Sequence, residues 1–339
     1  MHTKGFSVIV IGAGIVGLAV AEELWLRGQR DIVVLDAAEV GAGRTRLGAG
    51  FIREWHSDIA WRHLATESRS RLAEWHKLPG APLVQNVRVE AISAEVSNNL
   101  TTSTSYQMTL GESVIKSKAQ RTQPFKVAQR LAESLRARGI TIQTSTPIRD
   151  LLVSGNQVRA AITDEGSIYC DSCIIAVGGT EDLPRLGSLP VRTVSVPVVW
   201  FGTYDNINAP TLLDLTSSPG VYLTPDGQTW MATIGPPPYE SPEQDSKELV
   251  AEIHARCARR LEISPSIDRV TFGCYDITAD SRPIVGSVPE LMGCFVVTGL
   301  AASGFQVAPA VARRVVDQLE GAVEPDTIAP IIDSKRFFT

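Results

Sequence analysis

Every position of Val8–Ile11 and of Ile32–Leu35 is apolar, the pattern of strands buried on both faces in a parallel sheet covered by helices. Between them a helix is predicted from about Ile15 to Arg27. It stops at Gly28, a residue suited to the left-handed conformation that ends a helix. A second helix is predicted over 59–76, where Trp61, Leu64, Ser68, Leu72 and Trp75 form a stripe behind a Ser57 or Asp58 cap. A third begins at Pro124, with Val127, Leu131 and Leu135 on one face and Gly139 closing it. A fourth, from about Pro242 to Leu261, carries Leu249, Ile253, Cys257 and Leu261 at spacing four, and its acidic start and arginine-rich end match the helix dipole. The last helix is placed at about 308–320.

Strand patterns occupy 83–96 and 106–116, with the polar SNNLTTSTS (97–105) between them as a hairpin loop. Further strands are predicted at 140–144, 148–154, 157–163, 167–170, Ile174–Val177 and Cys294–Thr298. Residues 191–235 are strand-like throughout, rich in Val, Tyr, Trp and Thr. Helix-and-strand pieces thus stand at the beginning, middle and end of the chain, with β-rich segments between them. The expected architecture is α/β: a nucleotide-binding domain from 1–80, 124–190 and 272–339, interleaved with a mainly antiparallel domain from 81–123 and 191–271.

With 339 residues, 44% of them hydrophobic, the chain can bury two cores. A formal net charge of −5 gives no footprint for nucleic acid. No apolar stretch is long enough to span a membrane, and the N-terminal one is broken by glycines and followed by Glu22 and Glu23 rather than ending as a signal peptide. The expectation is a cytoplasmic protein. Five scattered cysteines suit a reducing compartment. Cys170 and Cys173 form a CxxC at the entry to a buried strand, with no second pair or histidines nearby, so no metal is expected there.

The chemistry starts in VIVIGAGIVGLAV. Gly12 permits a sharp turn, Gly14 a close approach of backbone to a pyrophosphate, and Gly17 tight packing of the helix on the sheet. The helix N-terminus offers N–H groups and the positive end of its dipole to phosphate. Asp36 closes the second strand, where its carboxylate can accept the ribose hydroxyls of an adenosine and would repel a 2′-phosphate. Two distant segments add to this unit: CIIAVGG, an apolar strand ending in Gly178 and Gly179, and DITADSRPIVG followed by TGLAASGF. The latter holds a second glycine turn at Gly299, Ser303 and Gly304.

With these motifs in order, joined by the GRT…GAG loop (43–50) and LPVR (189–192), the chain resembles FAD-dependent amine oxidoreductases of the D-amino-acid oxidase, glycine oxidase and sarcosine oxidase type. The resemblance covers about 6–78 and 124–320. It implies a Rossmann-like FAD-binding domain and a β-sheet substrate domain. It places FAD against Ile15, Val16, Asp36, Ala37, Arg44, Thr45, Ala49, Gly50 and Phe51, with the Ile148 backbone at the adenine and Gly178 beside the cofactor. Leu300, Ala302, Ser303, Gly304, Phe305 and Gln306 would lie along the flavin.

The resemblance further implies oxidation of a C–N bond of a small amine or amino acid to an imine that hydrolyses. Glycine oxidase-like relatives carry a carboxylate-binding arginine where this chain has Tyr275. Sarcosine oxidase-like relatives have a tyrosine there and use an arginine at the place of Arg53, which favours a secondary amino acid, with Tyr222 and Tyr275 closing the pocket. A lysine common in those relatives is replaced by Gln306. Counting back from Asp280 puts their flavin-linking cysteine at Gly273, so Cys274 points to the other face of its strand and non-covalent FAD is expected. No lysine occurs between Val127 and Ser246, and Met231 or a neighbour stands where the relatives' oxygen-activating lysine would be. Sluggish reoxidation by oxygen follows. His56 reads as structural rather than catalytic. The rival reading is a catalytically silent flavin-binding subunit or scaffold. The acidic balance disfavours the tRNA-modifying role found in fused members of the family. The expected partners are a small-molecule amine and, left open, a second copy or a redox subunit.

Overall fold

The computed structural model describes the chain except residues 1–4, 54, 55, 57, 95–111, 180–188, 203–208, 227, 228, 238, 242–244, 262–264, 323–326, 338 and 339. The first half runs β1 (Gly5–Ile11), α1 (Ile15–Leu26), β2 (Ile32–Leu35), α2 (Arg44–Leu47), β3 (Phe51–Arg53), α3 (Ile59–Trp75), β4 (Gln85–Ser93), β5 (Ser113–Arg121), α4 (Pro124–Ala137), β6 (Thr141–Gln143), β7 (Ile148–Ser154) and β8 (Gln157–Thr163). The second runs β9 (Gly166–Gly178), β10 (Val191–Phe201), β11 (Thr211–Asp214), β12 (Val221–Asp226), β13 (Thr229–Ile234), α5 (Ser246–Leu261), β14 (Ile267–Thr278), β15 (Ile284–Ser287), β16 (Cys294–Thr298), α6 (Gly304–Leu319) and α7 (Ala329–Ile332). Two compact units result. One comprises 1–84, 122–193 and 276–339; the other, 85–121 and 194–275.

In the first unit, β6, β2, β1, β9, β16 and β15 lie side by side, and β8 and β7 extend the sheet from β9. The β1, β2, β6, β9 and β16 pairings are parallel, and β15 adds an antiparallel edge. The apolar runs are continuous because both faces are covered. Val8 and Val10 of β1 and Ile32 and Val34 of β2 join the core beneath α1, α3, α4 and α6. Ile9, Ile11, Val33 and Leu35 join the core on the opposite face, which β7 and β8 share. Each such side chain contributes roughly 1.5–3 kcal/mol by leaving water, so polar substitutions in either strand are felt on one face or the other.

The stripes of α3 and α4 are buried at the predicted positions. Asp58 caps α3, its Oδ1 accepting from the Ala60 and Trp61 amides; Ser57 lies outside the described residues. Several predicted boundaries move. The strands at 167–170 and 174–177 are one strand, β9, because Ser172 and Cys173 continue the pairing with Val8 and Ile9 instead of turning. The strand expected at 106–116 is described only as β5, 113–121, and the expected loop at 97–105 lies outside the described residues, as does the predicted helix start at Pro242. The last helix begins at Gly304 rather than at 308. Pro309 sits inside its first two turns, where few backbone bonds depend on it. The loop 41–58 contains α2 and β3, which the sequence pattern did not show.

The second unit is built on a sheet ordered β14, β10, β13, β12, β11, β4, β5. Its described pairings are antiparallel except β11 with β4. One face packs on α5 through Leu249, Ile253, Cys257 and Leu261. The arginines at the end of α5 were read as dipole partners, but Arg256 and Arg260 are buried in a charge cluster instead. Arg260 donates to both carboxylate oxygens of Glu112 at 2.7 and 2.8 Å and to Asp214 at 3.0 and 3.2 Å. No helix among the described residues is long and apolar enough to cross a membrane.

Candidate functional site

The glycines of the first turn have separate causes. Gly12 has φ +111°, and a Cβ there would lie 2.5 Å from the Ala176 carbonyl oxygen. A Cβ at Gly17 would lie 1.8 Å from the Gly12 oxygen, so the packing of α1 on the sheet forbids it. At Gly14 a Cβ would meet only Thr45 Oγ1, at 3.3 Å. No backbone demands a glycine at that position, and the space beside the turn is open to a ligand. Gly14, at the N-cap of α1, has no side chain to cap it, and no acidic residue stands in the first turn, which suits the positive end of the helix to an anion. Thr45 Oγ1 accepts from the Ile15 amide at 3.0 Å, tying the GRT loop to this turn.

Asp36 is anchored rather than dangling. Its Oδ2 accepts from the Ala13 amide at 2.6 Å and its Oδ1 from the Ala38 amide at 2.8 Å. Each oxygen keeps lone-pair capacity for a ribose hydroxyl. The Asp36 carbonyl takes the Thr146 amide at 2.8 Å, which brings the start of β7, and Ile148 with it, alongside. Ile15 and Phe305 are core residues of the first unit and Val16 packs against them, so only their backbone is available for a cofactor. Ala37 and Ala302 are exposed, and Leu300, Ala49 and Phe51 half-buried.

A second knot joins three of the predicted segments. Arg44 Nη2 is 2.7 Å from Asp276 Oδ1 and donates to Thr193 Oγ1 at 2.9 Å, while Thr193 donates to Asp276 at 2.8 Å. The Asp276 carbonyl takes the Ala301 amide at 3.0 Å. This cluster lies against Gly178 and Gly179, where a Cβ would come within 2.9 and 2.8 Å of the Arg44 guanidinium. Arg44 Nε is buried and has no hydrogen-bond partner, a donor left unspent. Gly50 and Gly299, at φ +73° and +68°, are closed off by the Thr122 oxygen and the Thr278 methyl. Neither Asp276 nor Thr193 is marked by the sequence: the DIT of DITADSRPIVG and the threonine after LPVR read as ordinary strand until Arg44 is folded against them.

Arg53 ends β3, and its carbonyl accepts from Gln306 Nε2 on the first turn of α6. His56 is buried, 7% exposed. Burial first, then the neighbouring Arg53 charge, pushes its pKa down to about 4. Asp58 and Arg282 form a pair at 3.0 Å beside the start of α3.

Tyr222 and Tyr275 belong to the second unit. Tyr222, on β12, packs with Val87, Leu213 and Leu215. Tyr275, on β14, packs with the cluster that α5 covers. Strands β10 and β13 stand between β12 and β14, a spacing of about 14 Å. Met231 is buried in β13. Cys170, Cys173 and Cys294 are buried, and burial raises all three thiols, Cys170 and Cys294 to about 12. That leaves the CxxC as protonated core thiols.

The family described as DAO, FAD dependent oxidoreductase, matches residues 7–90 and 84–318. A 4-methylaminobutanoate oxidase (formaldehyde-forming) of Paenarthrobacter nicotinovorans is 22% identical, over 97% of this chain and 45% of that protein. A glycine oxidase of Pseudomonas aeruginosa is 25% identical, over 95% of this chain and 98% of that protein. The chain thus spans about half the length of the first relative and nearly all of the second. The crystal structure of an L-proline dehydrogenase from P. horikoshii has the same fold, with a TM-score of 0.84 at 19% identity, over 99% of this chain and 98% of that one.

Proposed function

The chain belongs to the DAO family of FAD-dependent oxidoreductases, and from that premise we propose that it oxidises the C–N bond of a small amino acid, an N-alkyl one in preference, to an imine that hydrolyses. FAD is the family's cofactor, and the residues fit it. Asp36 retains acceptors for ribose, α1 presents an N-terminus without an acidic residue to pyrophosphate, Gly14 keeps the approach clear, and Arg44 keeps a buried donor free. Bound there, FAD accepts the equivalent of a hydride from the carbon next to nitrogen. Binding is non-covalent in this reading.

The protein's part is to orient the substrate and to leave its nitrogen uncharged. Arg53 is the proposed carboxylate anchor, its two-pronged guanidinium matching a carboxylate in shape and charge. The observation that carries this reading is the tie between the Arg53 carbonyl and Gln306, which fixes β3 to the turn of α6. Tyr222 and Tyr275 are proposed as separate substrate-contacting side chains, each tested by its own phenylalanine variant. The relatives, a 4-methylaminobutanoate oxidase and a glycine oxidase, agree with this substrate class. Anaerobic mixing with a panel of amines tests it, watched through the flavin absorbance. Bleaching by sarcosine- or proline-like acids ahead of primary amino acids is expected. Flavin that no amine bleaches would make the chain a silent flavin-binding subunit.

A further inference from the structure

Residues 41–50 run beside the nucleotide turn as a strap that little apolar burial holds. Gly41 and Gly50, at its two ends, are buried and left-handed, with φ +70° and +73°. None of the residues between them is buried, and Leu47 is 51% exposed. The Gly41 amide donates to the Ala13 carbonyl at 2.9 Å, and Thr45 takes the Ile15 amide at 3.0 Å, so the strap touches the turn on either side of Gly14. Its other tether is Arg44. Asp276 is 5% exposed at its side chain, and its Oδ1 lies 2.7 Å from Arg44 Nη2 and accepts from Thr193 Oγ1 at 2.8 Å. Arg46 merely rests, exposed, over the Phe125 ring at 4.4 Å. A segment with so little buried surface opens at low cost unless a strong polar contact holds it. A charge-assisted bond to a buried carboxylate is such a contact.

We propose that Asp276 is a positioning residue for the cofactor: by holding Arg44 it latches the strap against the nucleotide turn, and FAD leaves when that ion pair opens. This rests on the placement of FAD at the first turn and goes beyond it by separating retention of the cofactor from its recognition. Asp36 and the N-terminus of α1 recognise the nucleotide, and the latch sets how long it stays.

Two further features belong to the latch. Gly179 needs no left-handed backbone, yet a Cβ there would lie 2.8 Å from both Arg44 Nη2 and Thr193 Oγ1 and 3.3 Å from Asp276 Oδ1. The bare backbone at the end of β9 leaves room for the arginine to reach its carboxylate. The Asp276 carbonyl, in turn, takes the Ala301 amide at 3.0 Å, and Ala301 has φ +44°, a conformation that costs a residue with a Cβ some strain. One residue thus ties down both the strap and the turn before α6. A pair that served packing alone would be felt in folding and not in the release of the cofactor.

FAD release from the loaded protein is followed by flavin fluorescence on dilution, and uptake by mixing FAD with the apoprotein. Asp276→Asn and Arg44→Gln should each speed release about ten- to hundredfold, with the uptake rate little changed. The double variant should release FAD no faster than the faster single one, because both remove the same bond. Gly179→Ala keeps both charges, pushes the guanidinium away and should behave like them. Trypsin gives a readout free of flavin chemistry. In the unaltered protein, cleavage after Arg44 and Arg46, identified by peptide mass, should be about tenfold slower with FAD bound, and Asp276→Asn should lose that protection. Unchanged release in Asp276→Asn overturns the latch, as do additive effects in the double variant. Uptake that slows as much as release quickens overturns it too, since the site itself is then damaged. Should Asp276→Asn fail to fold, which circular dichroism shows, Gly179→Ala decides the matter by the same rates. An apoprotein that takes up no FAD defeats the cofactor placement and this inference with it, whereas tight binding that none of the variants loosens defeats the inference alone.

Discussion

Asp276 in the first unit and Asp214 in the second are both nearly fully buried and both held by arginine. Around Asp214 nearly every donor is used, the buried Nε of Arg256 excepted. Arg260 spends Nε, Nη1 and Nη2 on Asp214 and Glu112, Arg259 adds a contact at 3.2 Å, and Thr216 donates twice. Arg256 fastens the strand end through the Asp214 carbonyl at 2.6 Å. Around Asp276 the arginine keeps Nε unspent, and two glycines clear the space beside it. A closed cluster of this kind stitches α5 to its sheet. An open one has the means to hold something that is not protein. The two clusters differ in how many charges they combine, one arginine on Asp276 against three on Asp214 with Glu112 added, and each leaves one arginine Nε without a partner.

The largest effect should come from breaking the closed cluster. Arg260→Met leaves Asp214 and Glu112 buried without their main partner and should cost about 3–5 kcal/mol. Urea unfolding should show that loss, and FAD affinity of the protein that remains folded should be unchanged. A small shift in midpoint would mean the second unit does not depend on its ion cluster.

Acid should separate the two units by pH. His56 has a folded pKa near 4, below its unfolded value, so the unfolded chain binds the extra proton. Its contribution is intact above about 6.5 and is lost as pH falls toward 4, up to about 3 kcal/mol. Asp214 is held below the usual carboxylate range, chiefly by its hydrogen bonds from Arg260 and Thr216 overcoming burial. Its contribution is therefore intact above about 4 and lost only below that. Unfolding midpoints measured from pH 8 to 3 should show the His56 loss first. His56→Gln should flatten the upper part of the curve and leave the lower part alone.

How much of this was visible beforehand depended on range. The nucleotide turn was legible because its causes are local: a strand, three glycines, a helix and a carboxylate within thirty residues. The α3, α4 and α5 stripes were legible for the same reason, since periodicity survives in the one-dimensional pattern. Asp276, Thr193 and the buried arginines of α5 were not. Each acquires its role from a partner 40 to 230 residues away, and an arginine at a helix end looks the same whether it meets water or Asp214. The burial of His56 is likewise not announced by REWHSD.

Smaller effects refine the comparison. Asp36→Ala removes charge-assisted hydrogen bonds to the ribose and should weaken FAD by roughly 1.5–3 kcal/mol. Titration of the apoprotein with FAD measures it, and an unchanged affinity would take Asp36 out of the site. At the bottom of the scale stands the exposed Arg149–Asp164 pair, bidentate at 2.7 and 2.8 Å. Arg149→Ser should leave both FAD affinity and unfolding midpoint where they were, because water screens the pair. A measurable loss there would show that satisfied surface charge matters in this fold as much as buried charge.

Amino-acid oxidation anchored by Arg53 is the central claim, and Arg53→Met addresses it most directly. The variant should be mixed anaerobically with an N-alkyl amino acid and, separately, with the matching amine that lacks the carboxylate, while the flavin band is followed. Binding of the amino acid should weaken by about 2–3 kcal/mol, a factor near 30–150, and reduction by the plain amine should be little changed. Equal loss for both would contradict the account and leave Arg53 a structural residue of β3.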